Sequence, residues 1–283
     1  MRVPDVEEEK LIIKKKRGTK IIMKKYISGI VTGILFAVLI YMLKTYDVAA
    51  VGPDGTSVGF STINTKIHDY TGVNMQWYEI TDMIGYAALG ICALFGFAGL
   101  VQLIKRRSFA KVDKTIYSLA GLYIVVIGLY IFFERFIINY RPIIMPGASA
   151  PEASFPSSHT MLIITVMAST SMVLGKYIKS GLLKAVIGIL CAAVIIVTVY
   201  GRLICGVHWF TDIIGGILLS VTLVEFFGGV LHSAWRSDRV RYGHVPTHEE
   251  NIVFTDNTSG SGEVIEGRAA RNSGSDKGYT PKH

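Results

Sequence analysis

Charge is what this sequence has least of. Asp, Glu, Lys and Arg make up 18% of its 283 residues, against about a quarter in soluble domains. Hydrophobic residues make up 51%, and the charges that exist are clumped between long apolar runs. This excludes an ordinary soluble domain and points to several membrane crossings. Cysteine is scarce too. Cys92, Cys191 and Cys205 are the only three; two lie inside apolar runs, and none forms a CxxC or Cys/His pattern. Neither a disulfide framework nor a zinc site is indicated. The net charge of +8 is compatible with nucleic acid, but Lys and Arg sit in short clusters beside the apolar runs, where topology accounts for them. The expected partner is the lipid bilayer, with no nucleic acid.

Six apolar runs follow one another, at 27–43, 83–104, 116–133, from about 157 to 175, 182–200 and 213–231. They predict an all-α fold, a six-transmembrane helix bundle spanning 27–231. Residues 1–26 form a basic segment ahead of it. Residues 232–283 form a polar tail, expected to be disordered at 256–283, where Gly, Ser and Asn leave too little apolar surface to offset ordering entropy. The first run is long for a signal peptide and just long enough to span, so an uncleaved anchor is expected. Trp77 to Asp82, before the second run, read as a segment lying along the membrane surface, where Trp and Tyr are favoured.

Lys and Arg alternate across the runs. Segments 1–26, 105–114, 175–184 and 232–283 carry 24 of the 29, and 44–82, 134–159 and 201–212 carry the other five. Positively charged loops face the cytoplasm. Both termini are thus expected inside, in a plasma membrane, with the charge-poor loops outside.

Three polar clusters interrupt the runs on the expected outer side: Tyr140-Arg141-Pro142, Pro156-Ser157-Ser158-His159, and Gly201-Arg202 with His208 and Asp212. Arginine is always cationic, and its forked donors match phosphate oxygens; at a membrane boundary it also snorkels to headgroups. A helix starting at the second cluster would aim free N–H groups and its positive end at an anion, while Ser157 or Ser158 would serve equally as a plain N-cap. His208 and Asp212, four apart, read as one face of a helix. The carboxylate would hold one ring nitrogen and free the other for attack, or the pair would be a structural hydrogen bond. His68, His232, His244, His248 and His283 read as solvated or interfacial.

In order and spacing the three clusters resemble the type 2 phosphatidic acid phosphatases, whose pattern is K-x6-RP, PSGH and SR-x5-H-x3-D. The resemblance covers about 27–231. It implies the bundle that membrane lipid phosphatases of this kind share with vanadate-dependent haloperoxidases, although six spans argue against that soluble chemistry. It also implies metal-independent hydrolysis, with no cofactor. By the same resemblance His208 is the nucleophile, Asp212 orients it, and His159 is the general acid. Arg141, Arg202, Ser157 and Ser158 hold phosphate. Candidate substrates are undecaprenyl diphosphate, phosphatidylglycerophosphate and phosphatidic acid. Three positions depart from the pattern. Glu134 stands where the lysine is expected, with Arg135 beside it as the nearest cation and a further expected phosphate contact. Ser158 replaces glycine. Gly201 replaces serine, a change expected to be tolerated. A non-catalytic lipid-phosphate-binding scaffold and a lipid phosphotransferase stay open as alternatives.

Overall fold

A computed structural model describes residues 6–241. Among them are seven α-helices and no strand: α1 (Val6–Thr45), α2 (Ser61–Thr71), α3 (Met75–Arg106), α4 (Lys114–Arg135), α5 (Ser158–Tyr177), α6 (Gly181–Ile204) and α7 (Phe210–Arg241). All but the short α2 contain a stretch long and apolar enough to cross a membrane, six in total. The expected all-α, six-span bundle is the fold observed, in a multi-pass membrane protein. Residues 242–283, which include His244, His248, His283 and the segment 256–283, lie outside the described residues.

Helix starts are set by short polar side chains that accept otherwise free N–H groups. Asn74 accepts from Gln76 and Trp77 at α3, Asp113 from Thr115 at α4, and Ser180 from Leu183 at α6. Half of the apolar stretch is buried in α5 and in α7, against 6% in α3 and in α6. The first two are therefore central, and the others turn apolar side chains such as Leu94, Ile189 and Ile196 outward, toward where lipid would lie. The first span is built into the bundle along α7. Lys25 pairs with Glu225 at 3.1 Å, Thr222 donates to Thr32 at 3.0 Å, and a Cβ at Gly29 would meet the Phe226 ring at 3.2 Å.

One expectation changes here, and two histidines take definite places. Trp77 to Asp82 are not a separate surface segment: capped by Asn74, α3 starts at Met75, eight residues before Met83, so these residues fall in its first two turns. His232 belongs to α7, with Nδ1 3.2 Å from the Gly228 carbonyl. His68 is half-buried in α2, its Nε2 3.2 Å from the Gly206 carbonyl.

Candidate functional site

The three clusters meet at one end of the bundle. Their elements are the end of α4, the start of α5, the end of α6 and the turn before α7, joined there by the start of α3. The loop after α4 is pinned in several places. Tyr140 pairs with Ala153 in an isolated antiparallel bridge, the Arg141 N–H donates to the Glu152 carbonyl at 2.9 Å, and Lys44 on α1 donates to the Ile138 carbonyl at 2.7 Å.

His208 does not lie on a helix face with Asp212. It sits in the turn between α6 and α7, which begins only at Phe210. The turn depends on Gly206, whose φ of +71° suits glycine and where a Cβ would stand 2.3 Å from the Gly72 carbonyl. Around it, Asn64 on α2 donates to Thr211 Oγ1 at 2.9 Å and accepts from the Thr211 N–H, while Trp209 Nε1 donates to the Tyr140 carbonyl at 2.8 Å. His208 is 3% exposed and Asp212 is fully buried.

The ring contacts of His208 specify its chemistry. Nδ1 lies 3.1 Å from the Ser154 carbonyl and 3.8 Å from Asp212 Oδ2, so the carbonyl is the nearer acceptor. Asp212 Oδ2 instead accepts from the Trp209 N–H at 2.9 Å, and Oδ1 from Asn139 Nδ2 at 3.3 Å. Nε2 lies 3.0 Å from Arg202 Nη2. A guanidinium only donates, so Nε2 is the acceptor and the proton sits on Nδ1. Burial first, then the charges of Arg202 and Arg141, hold the imidazole well below the usual histidine range. The ring is neutral, with its lone pair turned to the site.

Arg202 is 1% exposed. Its Nη1 donates to Thr81 Oγ1 and to Asp82 Oδ1, both at 3.2 Å, and its guanidinium lies over the Tyr78 ring. Its Nε is buried with no hydrogen-bond partner. The same Asp82 Oδ1 lies 3.0 Å from His159 Nε2. A continuous chain of contacts thus runs from His208 through Arg202 and Asp82 to His159. Ser157 is the N-cap of α5 and accepts from the Thr160 Oγ1–H at 3.0 Å. Its own N–H donates to the Asp212 carbonyl at 3.0 Å, so Ser157 is committed to local structure. Ser158, Arg141, Glu134 and His208 line one cleft, with Leu129, Tyr130, Phe133, Phe155 and Met161 as an apolar wall. Arg141 Nε lies 3.2 Å from Glu152 Oε2. Arg135 is exposed and does not line the cleft; Glu134 does. The expectation that Arg135 contacts phosphate is not met by this arrangement, because one helical residue turns its side chain away by about 100°.

Sequence reasoning missed Asp82 and Asn139. Asn74, an N-cap residue ahead of an amphipathic stretch, was the signal that α3 starts early enough to carry Asp82. Nothing in the sequence pointed to Asn139. Among the described residues no three of His, Cys, Asp and Glu cluster as metal ligands would.

Comparison with known proteins agrees with the clusters. Residues 114–232 match the sequence model of the PAP2 superfamily. The fold is similar to that of a transmembrane PAP2-type phosphatidylglycerolphosphate phosphatase from Bacillus subtilis, known from a crystal structure. The TM-score is 0.53 at 18% identity, covering 75% of this chain and 96% of that one. No curated protein matches the sequence.

Proposed function

We propose that this membrane protein, which carries the PAP2 superfamily pattern over residues 114–232, hydrolyses lipid phosphate monoesters or diphosphates at the extracytoplasmic face of the plasma membrane. The observation that carries the reading is the neutral His208, whose Nε2 lone pair turns toward Arg202 beside a cleft also lined by Arg141 and Ser158.

In the proposed reaction the phosphate enters the cleft and takes donors from Arg141, Arg202 and Ser158. His208 Nε2 attacks phosphorus. The P–N bond forms as the P–O bond to the leaving group breaks, and His159 gives that oxygen its proton. The positive charge left on His208 is balanced by Asp212 and by Nδ1–H donation to Ser154. Water then attacks phosphorus, His159 takes its proton, and the P–N bond breaks. Asp212 acts here through the Trp209 N–H and Asn139 as much as by touching the ring. The apolar wall of Leu129, Phe133, Phe155 and Met161 suits a lipid tail leading away from the phosphate.

The test is phosphate release from a panel of lipid phosphates by purified protein in detergent with EDTA present. The panel spans undecaprenyl diphosphate, phosphatidylglycerophosphate and phosphatidic acid. Metal-independent release is expected, abolished by His208→Ala and by His159→Ala. Undiminished release by His208→Ala removes the mechanism. Binding without release by the wild type makes the protein a lipid-phosphate binder instead.

A further inference from the structure

Asp82 lies seven residues into α3, roughly 10 Å from its start at 1.5 Å per residue. Asp82 stands at the edge of the apolar run that begins at Met83, and a partly buried carboxylate there is costly unless it is paired. Asp82 is paired twice through a single oxygen: Oδ1 is 3.0 Å from His159 Nε2 and 3.2 Å from Arg202 Nη1. One turn further along α3 is Gly85, where a Cβ would stand 3.0 Å from His159 Cδ2 and 3.1 Å from its Nε2. Positions three apart share a helix face. The same face of α3 thus supplies both a carboxylate for the imidazole and the space in which the ring lies.

We propose that Asp82 and Gly85 form a socket on α3 that positions His159 as the proton donor of the reaction, with Asp82 a positioning residue that fixes the orientation of that imidazole. The inference rests on the phosphatase reading above. The Asp82 oxygen 3.0 Å from Nε2 fixes the tilt of the His159 ring, so that its proton is aimed at the leaving oxygen as an alkoxide develops. Its second bond holds Arg202 by Nη1, leaving Nη2 and the unpartnered Nε to exchange His208 for a phosphate oxygen. In the step concerned, the P–O bond to the leaving group breaks, and the proton passes from His159 to that oxygen. A p-nitrophenolate leaving group departs as a stable anion and needs no such proton.

The experiment compares p-nitrophenyl phosphate with an alkyl phosphate monoester in detergent micelles, for the wild type, Asp82→Asn, Gly85→Ala and His159→Ala. General acid catalysis contributes on the order of 10²- to 10⁴-fold. Read as leaving-group release in the first turnover, before water attacks, Asp82→Asn is expected to lose about 100-fold or more in rate on the alkyl ester and to stay within about tenfold on the aryl ester, following His159→Ala; the later water step uses His159 with either ester and lies outside this readout. If Asp82→Asn fails to yield folded protein, Gly85→Ala carries the test, because it crowds the ring and leaves the carboxylate in place; the same leaving-group-selective loss is expected. Equal losses on both esters in Asp82→Asn or Gly85→Ala, or no loss, overturn the socket. A His159→Ala protein that keeps full alkyl turnover overturns the role of His159 itself, and the socket falls with it. A wild type inactive on both esters and on the lipid panel overturns the parent phosphatase reading instead.

Discussion

At the scale of single residues, the site works by spending most hydrogen-bonding atoms in advance. His208 gives Nδ1–H to a backbone carbonyl and takes a donor on Nε2. Its depressed proton affinity has a definite sign. Below about pH 6.5, the ordinary value, an unfolded chain would protonate this residue while the folded one does not. Stability is therefore lost as pH falls from there toward the folded value. The proposed nucleophile stays neutral over that range. Histidine ¹⁵N spectra of the ligand-free protein should show Nε2 unprotonated at pH 6, and a protonated ring there would refute the assignment. The cleft also contains a negative charge where the PAP2 pattern carries a lysine. Glu134 lines it, and Glu152 already holds Arg141. Glu134→Lys should therefore lower KM for dianionic lipid phosphates severalfold without raising kcat, because the charge acts on bound ground state and transition state alike. A kcat change at constant KM would contradict this.

At the scale of helices, the site depends on close approaches that only glycine permits. Gly201 on α6 faces α3, where a Cβ would stand 2.7 Å from Thr81 Cγ2 and 2.9 Å from Trp77 Cε3. Glycine in place of the pattern's serine, expected to be tolerated, fits this contact, and the larger side chain would have no room. Gly201→Ser should push α6 from α3 at the level of Arg202 and Asp82. A destabilisation of about 1–3 kcal/mol is expected from overpacking, visible as a lower Tm in detergent together with a drop in kcat. Gly206→Ala should leave Tm less affected than activity, because its clash lies in the turn that presents His208 rather than in the bundle. The spans themselves were legible in the sequence because six uncharged stretches need no long-range information. The Arg141, Ser158, Arg202 and His208 positions were legible because polar residues at the ends of apolar runs are conspicuous. Asp82 was not, because its apolar run seemed to begin at Met83 and the two preceding turns are amphipathic. The turn at His208 was misread as helix because a spacing of four is also compatible with a tight turn followed by a helix start; Gly206 was the residue that distinguished them.

At the scale of the whole molecule, the bundle has two chemically different ends. One holds the convergent side chains. At the other, Lys176 contacts Thr115 Oγ1 and lies over the Trp235 ring, Tyr177 donates to Asp113, and Arg106 donates to the Lys111 carbonyl. Lys25, paired with Glu225, and the basic residues Lys105, Arg106, Lys111 and Lys114 at the junction of α3 and α4 belong to this second end. A membrane potential and an anionic cytoplasmic leaflet both favour retaining such an end inside. If that holds, a lipid phosphate reaches His208 only from the outer leaflet, and the phosphate released never enters the cytoplasm. Fusions truncated after Arg107 and after Gly147 separate the two orientations. A fluorescent reporter that folds only in the cytoplasm should light up after Arg107 and stay dark after Gly147, and a secreted-enzyme reporter should do the reverse. The opposite pattern would leave the helix packing untouched but move the site to the inner leaflet, where the accessible substrates would be cytoplasmic lipid phosphates. Orientation is therefore the measurement that decides which pool of lipid this chemistry can serve.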